Sequence, residues 1–319
     1  MNVLFVGATR IGDAVLTTGL LADLIERHAA ARFTIACGPL AMPLYAAMPQ
    51  VVRRIPLVKR AASLHWLDLW RRCVSTRWDL IVDMRGSALA YLLAAHRRMV
   101  YRRGDGGVHR LVDLARAFGL PEPPAPRIWI SSGDQAEAAR LVPDGGPVLA
   151  LGPTANWVGK VWRAENFAAL IDRLTAPDGI LPGARVAVFA AAGERALARP
   201  VLDAVPAGRL IDLVGAVELT TAAAALGRCD LFVGNDSGLM HIAAAAGAPT
   251  LGLFGPSRPE NYAPWGPRGA VARTSIPYEK LFPPDYDRRT TGTLMDSLSV
   301  DAVDEAATAL WRRCGNGRS

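Results

Sequence analysis

The chain has 319 residues, 51% hydrophobic and 20% charged, a globular composition of a length that suits two domains of ordinary size. No stretch approaches the roughly 18 uninterrupted apolar residues of a spanning helix, and Arg10 and Asp13 break the short N-terminal apolar run before it could serve as a signal segment. Cys37, Cys73, Cys229 and Cys314 have neither metal-ligand nor disulfide-framework spacing, which fits a reducing cytoplasm. The net charge of +7 is one-sided: residues 1–145 hold 19 Lys/Arg against 12 Asp/Glu, and residues 146–319 hold 17 of each. A basic half carrying Arg53–Arg54, Lys59–Arg60, Arg71–Arg72, Arg97–Arg98 and Arg102–Arg103 suits an anionic partner such as a phosphorylated glycan or an acidic lipid surface. Nucleic acid would fit the charge, but no recognised binding module is present, so none is expected.

Strand and helix patterns alternate from the first residues. Asn2–Val6 reads as a strand, Ala14–Arg27 as a helix, Phe33–Ala36 as a strand, Ala41–Met48 as a helix and Val51–Val58 as a strand. Ser63–Arg77 is an amphipathic helical pattern and Leu80–Asp83 a buried strand. Ser87–Arg97, Met99–Arg102 and Val108–Phe118 continue the alternation. A short strand at Arg127–Ile130 and a helix at Gln135–Leu141 lie between two Pro/Gly-rich breaks. The second break, Asp144–Pro147, is taken as the domain boundary, giving domains 1–145 and 146–319. The alternation then restarts with strands at Val148–Leu151, Arg185–Phe189, Leu210–Leu213, Leu231–Val233 and Thr250–Phe254. Helices are expected at Glu165–Leu174, Arg195–Ala204, Thr220–Leu226 and His241–Ala246. A last helix, Val300–Arg313, follows Ser299 as N-cap and is available to pack back on the first domain. The fold class is α/β: two Rossmann-like doubly wound domains facing a central cleft, the GT-B arrangement.

Four segments at strand ends carry candidate chemistry. Gly7–Asp13 is neither a Walker loop nor a Gly-x-Gly-x-x-Gly turn, and Asp13 would repel a cofactor phosphate. Asp13 sits where open α/β sheets place ligands, and N-capping of the following helix competes with a functional role. Gly152–Trp162 offers Thr154, Asn156 and Lys160 to a diphosphate. Glu194 can accept from a ribose diol, against a plain helix-terminal acid. Val233–His241 is the most specific signal: an Asp236–Ser237–Gly238 turn before a small-residue helix turns backbone donors toward an anion, with His241 close behind. Asp285–Tyr286–Asp287 matches a metal-holding Asp-x-Asp string, but it lies in an irregular, proline-bearing segment and is read as chance. No metal site is expected.

These residues give the chain a resemblance to the family 9 glycosyltransferases, the ADP-heptose:lipopolysaccharide heptosyltransferases. It runs over nearly the full length and is carried by Arg10–Asp13 with Thr17, Lys160–Trp162, and above all Asp230–Pro267. The resemblance implies a GT-B enzyme that transfers a sugar with inversion and without metal or other cofactor, a nucleotide sugar being its donor substrate. Carried over by position, Asp13 is the base and Lys160 assists the departing diphosphate. Thr154, Asn156, Lys160, Glu194, Asp236, Ser237, Gly238 and His241 hold the nucleotide sugar. Arg10 and Arg85 are assigned to an anionic glycolipid acceptor. A monomer working on the cytoplasmic face of the inner membrane, in peripheral contact with it, is the expected setting. One departure stands out: many members carry several cysteines before the last helix, whereas Tyr278–Met295 has none. A nucleotide-sugar-binding protein without catalysis, and a GT-B epimerase or hydrolase, are the competing readings.

Overall fold

The computed structural model describes residues 1–104 and 106–315. Backbone contacts divide the chain into two compact units, Met1–Trp129 and Ile130–Ser319.

The first unit is built from β1 (Asn2–Val6), α1 (Ile11–Arg27), β2 (Arg32–Cys37), β3 (Val51–Pro56), α2 (Leu64–Cys73), β4 (Trp78–Asp83), α3 (Leu89–Leu92), β5 (Ala95–Val100) and α4 (Arg110–Phe118). Its five strands are all parallel, in the order β3-β2-β1-β4-β5. The central strands are almost wholly buried, as continuous apolar runs covered on both faces must be. The edges differ: Arg53 and Arg54 on β3, and Arg97 and Arg98 on β5, stand exposed and discourage edge-to-edge pairing.

Three segments depart from the sequence expectation. Pro39–Tyr45 winds as a 3₁₀ helix, because Pro43 removes a donor and clashes with an α turn. The helix expected over Ser87–Arg97 shrinks to α3, and β5 begins at Ala95 because that segment completes the free side of β4, Trp78 facing Ala95. Arg98 locks this exchange by donating to the carbonyls of Ala90, Leu93 and Ala95. Residues 127–130 form no strand. The proline-rich segment before them lies directly against Gly19 of α1, where any Cβ would collide with the Pro124 and Ala125 carbonyls, and the Arg127 amide donates to Thr18 Oγ1 at 2.9 Å.

The second unit comprises α5 (Ser132–Leu141), β6 (Val148–Gly152), α6 (Ala164–Thr175), β7 (Arg185–Val188), α7 (Arg195–Ala204), β8 (Leu210–Asp212), α8 (Leu219–Leu226), β9 (Leu231–Asn235), α9 (Gly238–Ala245), β10 (Thr250–Phe254), α10 (Pro259–Tyr262), β11 (Gly269–Arg273) and α11 (Val300–Cys314). Its six parallel strands run β11-β10-β9-β6-β7-β8, the order of a complete doubly wound sheet. β11 was not anticipated; its small-residue sequence follows a Pro/Gly loop and carries little strand signal.

The boundary expected at Asp144–Pro147 falls inside this unit. Helix α5 packs on α8, and the Asp134 carboxylate, while capping its own helix, accepts from the hydroxyls of Thr220 and Thr221. Arg228 ties in the turn beyond by donating to the Val142 carbonyl and Asp144. Helix α11 opens on Ser299 as its N-cap, as expected, and buries Val303, Ala307 and Leu310 in this unit's core.

Gly152, Gly234 and Gly252 form one row across three adjacent strands, β6, β9 and β10. A Cβ at Gly152 or Gly234 would lie 2.7 Å from the Phe232 ring, and one at Gly252 would lie 2.5 Å from Met240 Sδ of α9. The row thus makes room for the Phe232 ring and lets Met240 bring α9 close to the sheet. No helix among the described residues is long and apolar enough to cross a membrane.

Candidate functional site

In each doubly wound sheet the strand order reverses at one point, and loops leaving the two strands there splay apart to leave a crevice. In the second unit that point lies between β6 and β9, the two strands that feed the segments Gly152–Trp162 and Val233–His241. After β6 the chain runs through buried Pro153, Thr154 and Ala155, exposes Asn156, and turns through a 3₁₀ helix at Val158–Lys160. That turn delivers Lys160, whose Nζ donates to the Asp236 carboxylate. The pair is largely shielded, with side-chain exposures of 21% for Lys160 and 7% for Asp236.

Asn235, the last residue of β9, holds the loop in register: its Oδ1 accepts from the Trp162 amide at 3.1 Å. The Trp162 indole, fully buried against Phe167, donates to the Leu298 carbonyl at 2.8 Å. From the other side, Thr293 Oγ1 donates to the Val161 carbonyl and the Leu294 amide to that of Gly159. Lys160 therefore projects from a loop fixed on both flanks.

Helix α9 starts at Gly238 with Ser237 as N-cap, one turn earlier than the sequence pattern placed it. The Ser237 side chain makes no capping bond, so its hydroxyl and the first amides of the helix are not satisfied by each other. Two polar atoms of this segment, Asn235 Nδ2 and Ser237 Oγ, are buried and find no partner among the described residues. Buried polar atoms are normally bonded, so these two, next to the Lys160–Asp236 pair and a helix N-terminus, make the turn a candidate seat for a polar ligand. His241, buried on the first turn of α9, meets the Tyr262 ring edge-on at 6.4 Å between centroids.

Glu194 lies at the carboxyl end of β7. Its carboxylate accepts from Thr154 Oγ1 at 2.8 Å and from the Ala191 amide at 3.1 Å. Of the residues expected to bind the donor, Lys160 pairs with Asp236, and Thr154 with Glu194. Ser237, Gly238 and His241 lie in sequence beside the first pair, while Asn156 stays exposed on the loop. Asp285 and Asp287 are exposed, and Asp287 is engaged with Thr291 and the Arg289 amide; between them Tyr286 packs edge-on against Trp157. No group of three or more His, Cys, Asp and Glu placed to hold a metal occurs among the described residues.

Residues 67–282 match the family model of Glycosyltransferase family 9 (heptosyltransferase), well over half the chain. The chain belongs to this family. It is a glycosyltransferase of GT-B fold. Lipopolysaccharide heptosyltransferase 2 of Salmonella typhimurium is 24% identical to it, over 97% of this chain and 99% of the relative. Among solved structures, a family 9 glycosyl transferase from Veillonella parvula superposes with a TM-score of 0.79 at 19% identity, covering 97% and 96% of the two chains. The E. coli ADP-heptose heptosyltransferase II superposes with a TM-score of 0.76 at 22% identity, covering 98% and 99%.

In the first unit of this glycosyltransferase the sheet order reverses between β1 and β4. Asp13 follows β1 but is not the helix cap: α1 starts at Ile11 with Arg10 in the N-cap position, so Asp13 is the third helical residue. Its carboxylate, half-buried in the first turn, has no hydrogen-bond or ion-pair partner among the described residues. Arg10 is exposed beside it. After β4, buried Asp83 accepts from the amides of Arg85 and Ser87 and from the Ser87 hydroxyl. This fixes the turn that carries Arg85, whose guanidinium lies 4.7 Å from the Trp66 ring centroid. Asn235 and Asp83 were given no role from sequence. A polar residue closing an otherwise apolar strand was the available signal for both.

Proposed function

We propose that this glycosyltransferase moves a heptose from ADP-heptose to a lipopolysaccharide-core or related glycan, with inversion at the anomeric carbon and without a metal. The observation that carries the reading is the Lys160–Asp236 pair at the start of α9, flanked in sequence by unpartnered Asn235 Nδ2 and Ser237 Oγ. Heptose, ADP and the lipopolysaccharide acceptor come from the names of the relatives. Lys160 and the α9 N-terminus face the diphosphate, while Asp236, Ser237, Gly238 and His241 hold the sugar and its phosphate. Glu194, steadied by Thr154, takes the ribose hydroxyls; Asn156 closes over the donor from the loop.

In the reaction the Asp13 carboxylate takes the proton of an acceptor hydroxyl as its oxygen attacks the anomeric carbon from the face opposite ADP. The bond to the diphosphate breaks with its electron pair going to ADP, and Lys160 with the helix amides offsets the growing negative charge. Arg10 and Arg85 bind the anionic acceptor, which is met on the cytoplasmic face of the inner membrane.

The test pairs a thermal-shift panel of nucleoside diphosphates and their sugars with a transfer assay in the presence of a chelator. ADP and ADP-heptose should raise the melting temperature most, and transfer should survive chelation. Preference for a uridine nucleotide, or consumption of donor at one rate with and without acceptor, would overturn the reading.

A further inference from the structure

A solvent-facing stripe on a surface helix is normally polar. Helix α2 breaks that pattern. Its inner face, with His65, Leu69 and Cys73, is buried, yet the outer stripe at spacings of three and four residues reads Leu64, Leu67, Arg71 and Val74. Leu64 is 50% exposed and Leu67 42%. Helix α3 adds to the same surface: the Trp70 indole of α2 donates to the Leu92 carbonyl at 3.2 Å, and Tyr91 and Leu92 are 60% and 66% exposed. Most of the exposed large apolar side chains among the described residues belong to the first unit, so this is not an even scatter.

The charge around the apolar stripe is of one sign. Arg71 and Arg72 close the helix, and Arg53 reaches from the edge strand to donate to the Arg72 carbonyl at 2.8 Å. Lys59 and Arg60 precede the helix, and Asp68, the one acid within it, is engaged by Arg60 at 2.7 Å. A second copy seated by two-fold symmetry would set these arginines against themselves. A bilayer fits better: leucines enter the acyl boundary, the exposed Tyr91 sits at headgroup level, and guanidinium groups meet lipid phosphates.

We propose that α2 and the α3 corner are a membrane-docking face, inserted shallowly into an anionic lipid surface. The inference builds on the reading of a membrane-borne acceptor, but its test uses neither donor nor acceptor, so either can fail alone. The full chain is floated with vesicles of phosphatidylcholine, or of phosphatidylcholine with phosphatidylglycerol. Variants are Leu64→Ser/Leu67→Ser, Leu92→Ser, Arg71→Gln/Arg72→Gln, and the control Leu197→Ser/Ile276→Ser on exposed positions of the second unit. Wild type and control should partition onto the phosphatidylglycerol vesicles. The leucine double variant should bind at least about tenfold more weakly with unchanged melting, Leu92→Ser should weaken in the same direction, and the arginine variant should lose the preference for anionic lipid. Retained binding by the leucine variants, equal binding of wild type to pure phosphatidylcholine, or a wild-type dimer that these variants dissociate would each overturn the proposal.

Discussion

Replacing Lys160 by methionine tests the heart of the proposed donor site. The change removes one member of a shielded pair and leaves the Asp236 carboxylate, 7% exposed, without its cation. Breaking a buried pair costs several kcal/mol, while the helix N-terminus one residue away returns part of it, so a net loss of ~1–3 kcal/mol is expected. For a unit of this size that lowers the melting temperature by about 3–10 °C. Turnover should fall further, by ~10²–10³-fold, because the charge that balances the departing diphosphate is gone. The double variant Lys160→Met/Asp236→Asn separates the two effects. With no uncompensated charge left, its melting temperature should return close to that of the wild type, while transfer stays lost. Differential scanning calorimetry and a coupled assay for released ADP measure both. Recovered turnover in the double variant, or unaltered melting of the single one, would refute the reasoning.

Asp13→Asn should lower turnover by ~10²–10⁴-fold and leave the thermal shift induced by ADP unchanged; a changed nucleotide response would remove Asp13 from the role of base. Asp134→Ala should cost ~1–2 kcal/mol, since it removes a cap and two hydroxyl bonds between α5 and α8. Burial pulls the Asp134 carboxyl up, but the hydroxyls of Ser131, Thr221 and Thr220 with the Ser131 amide outweigh it and hold the group below the usual carboxylate range. Its contribution is therefore complete above an ordinary carboxylate pKa of ~3.9 and is lost as pH falls from there through the lowered folded-state value. Denaturation midpoints of wild type and variant should converge over that acid range, and a constant gap would refute the assignment. Gly234→Ala should destabilise by ~1–3 kcal/mol in a urea titration, because the new methyl meets Phe232 and the Gly152 carbonyl. Burial raises the Cys37 thiol to about 12 and the Cys73 thiol to about 11, so iodoacetamide at pH 8 should modify neither until the chain unfolds, as read by mass spectrometry.

The sheet-forming segments were legible in the sequence because strands buried on both faces leave continuous apolar runs such as Val3–Val6 and Leu149–Leu151. The misreadings have local causes. Pro43 turned an apparent α-helical pattern into 3₁₀ geometry, and pairing with β4 pulled residues 95–97 out of an apparent helix. At the candidate site, Lys160 and the Asp236–Ser237–Gly238 turn stood out by residue type, and the structure brings Lys160 and Asp236 together. What could not be read were partners distant in sequence: the hold of Asn235 on Trp162, of Thr154 on Glu194, and of Leu298 on the Trp162 indole. Those depend on register between strands and loops, which composition and periodicity do not encode.

The glycine row across β6, β9 and β10 bears on how this enzyme can change. Phe232 touches the places where side chains at Gly152 and Gly234 would grow, and Met240 and Phe254 touch the one at Gly252. Enlarging any member calls for a smaller ring or thioether opposite, and that trade opens a void beside its neighbours. Gly152 and Gly234, on two separate strands, are in this way tied to one ring, and Gly252 to Met240 and Phe254. Enlargement in the sheet therefore carries a stability cost, and variation meets less resistance at exposed loop positions such as Asn156.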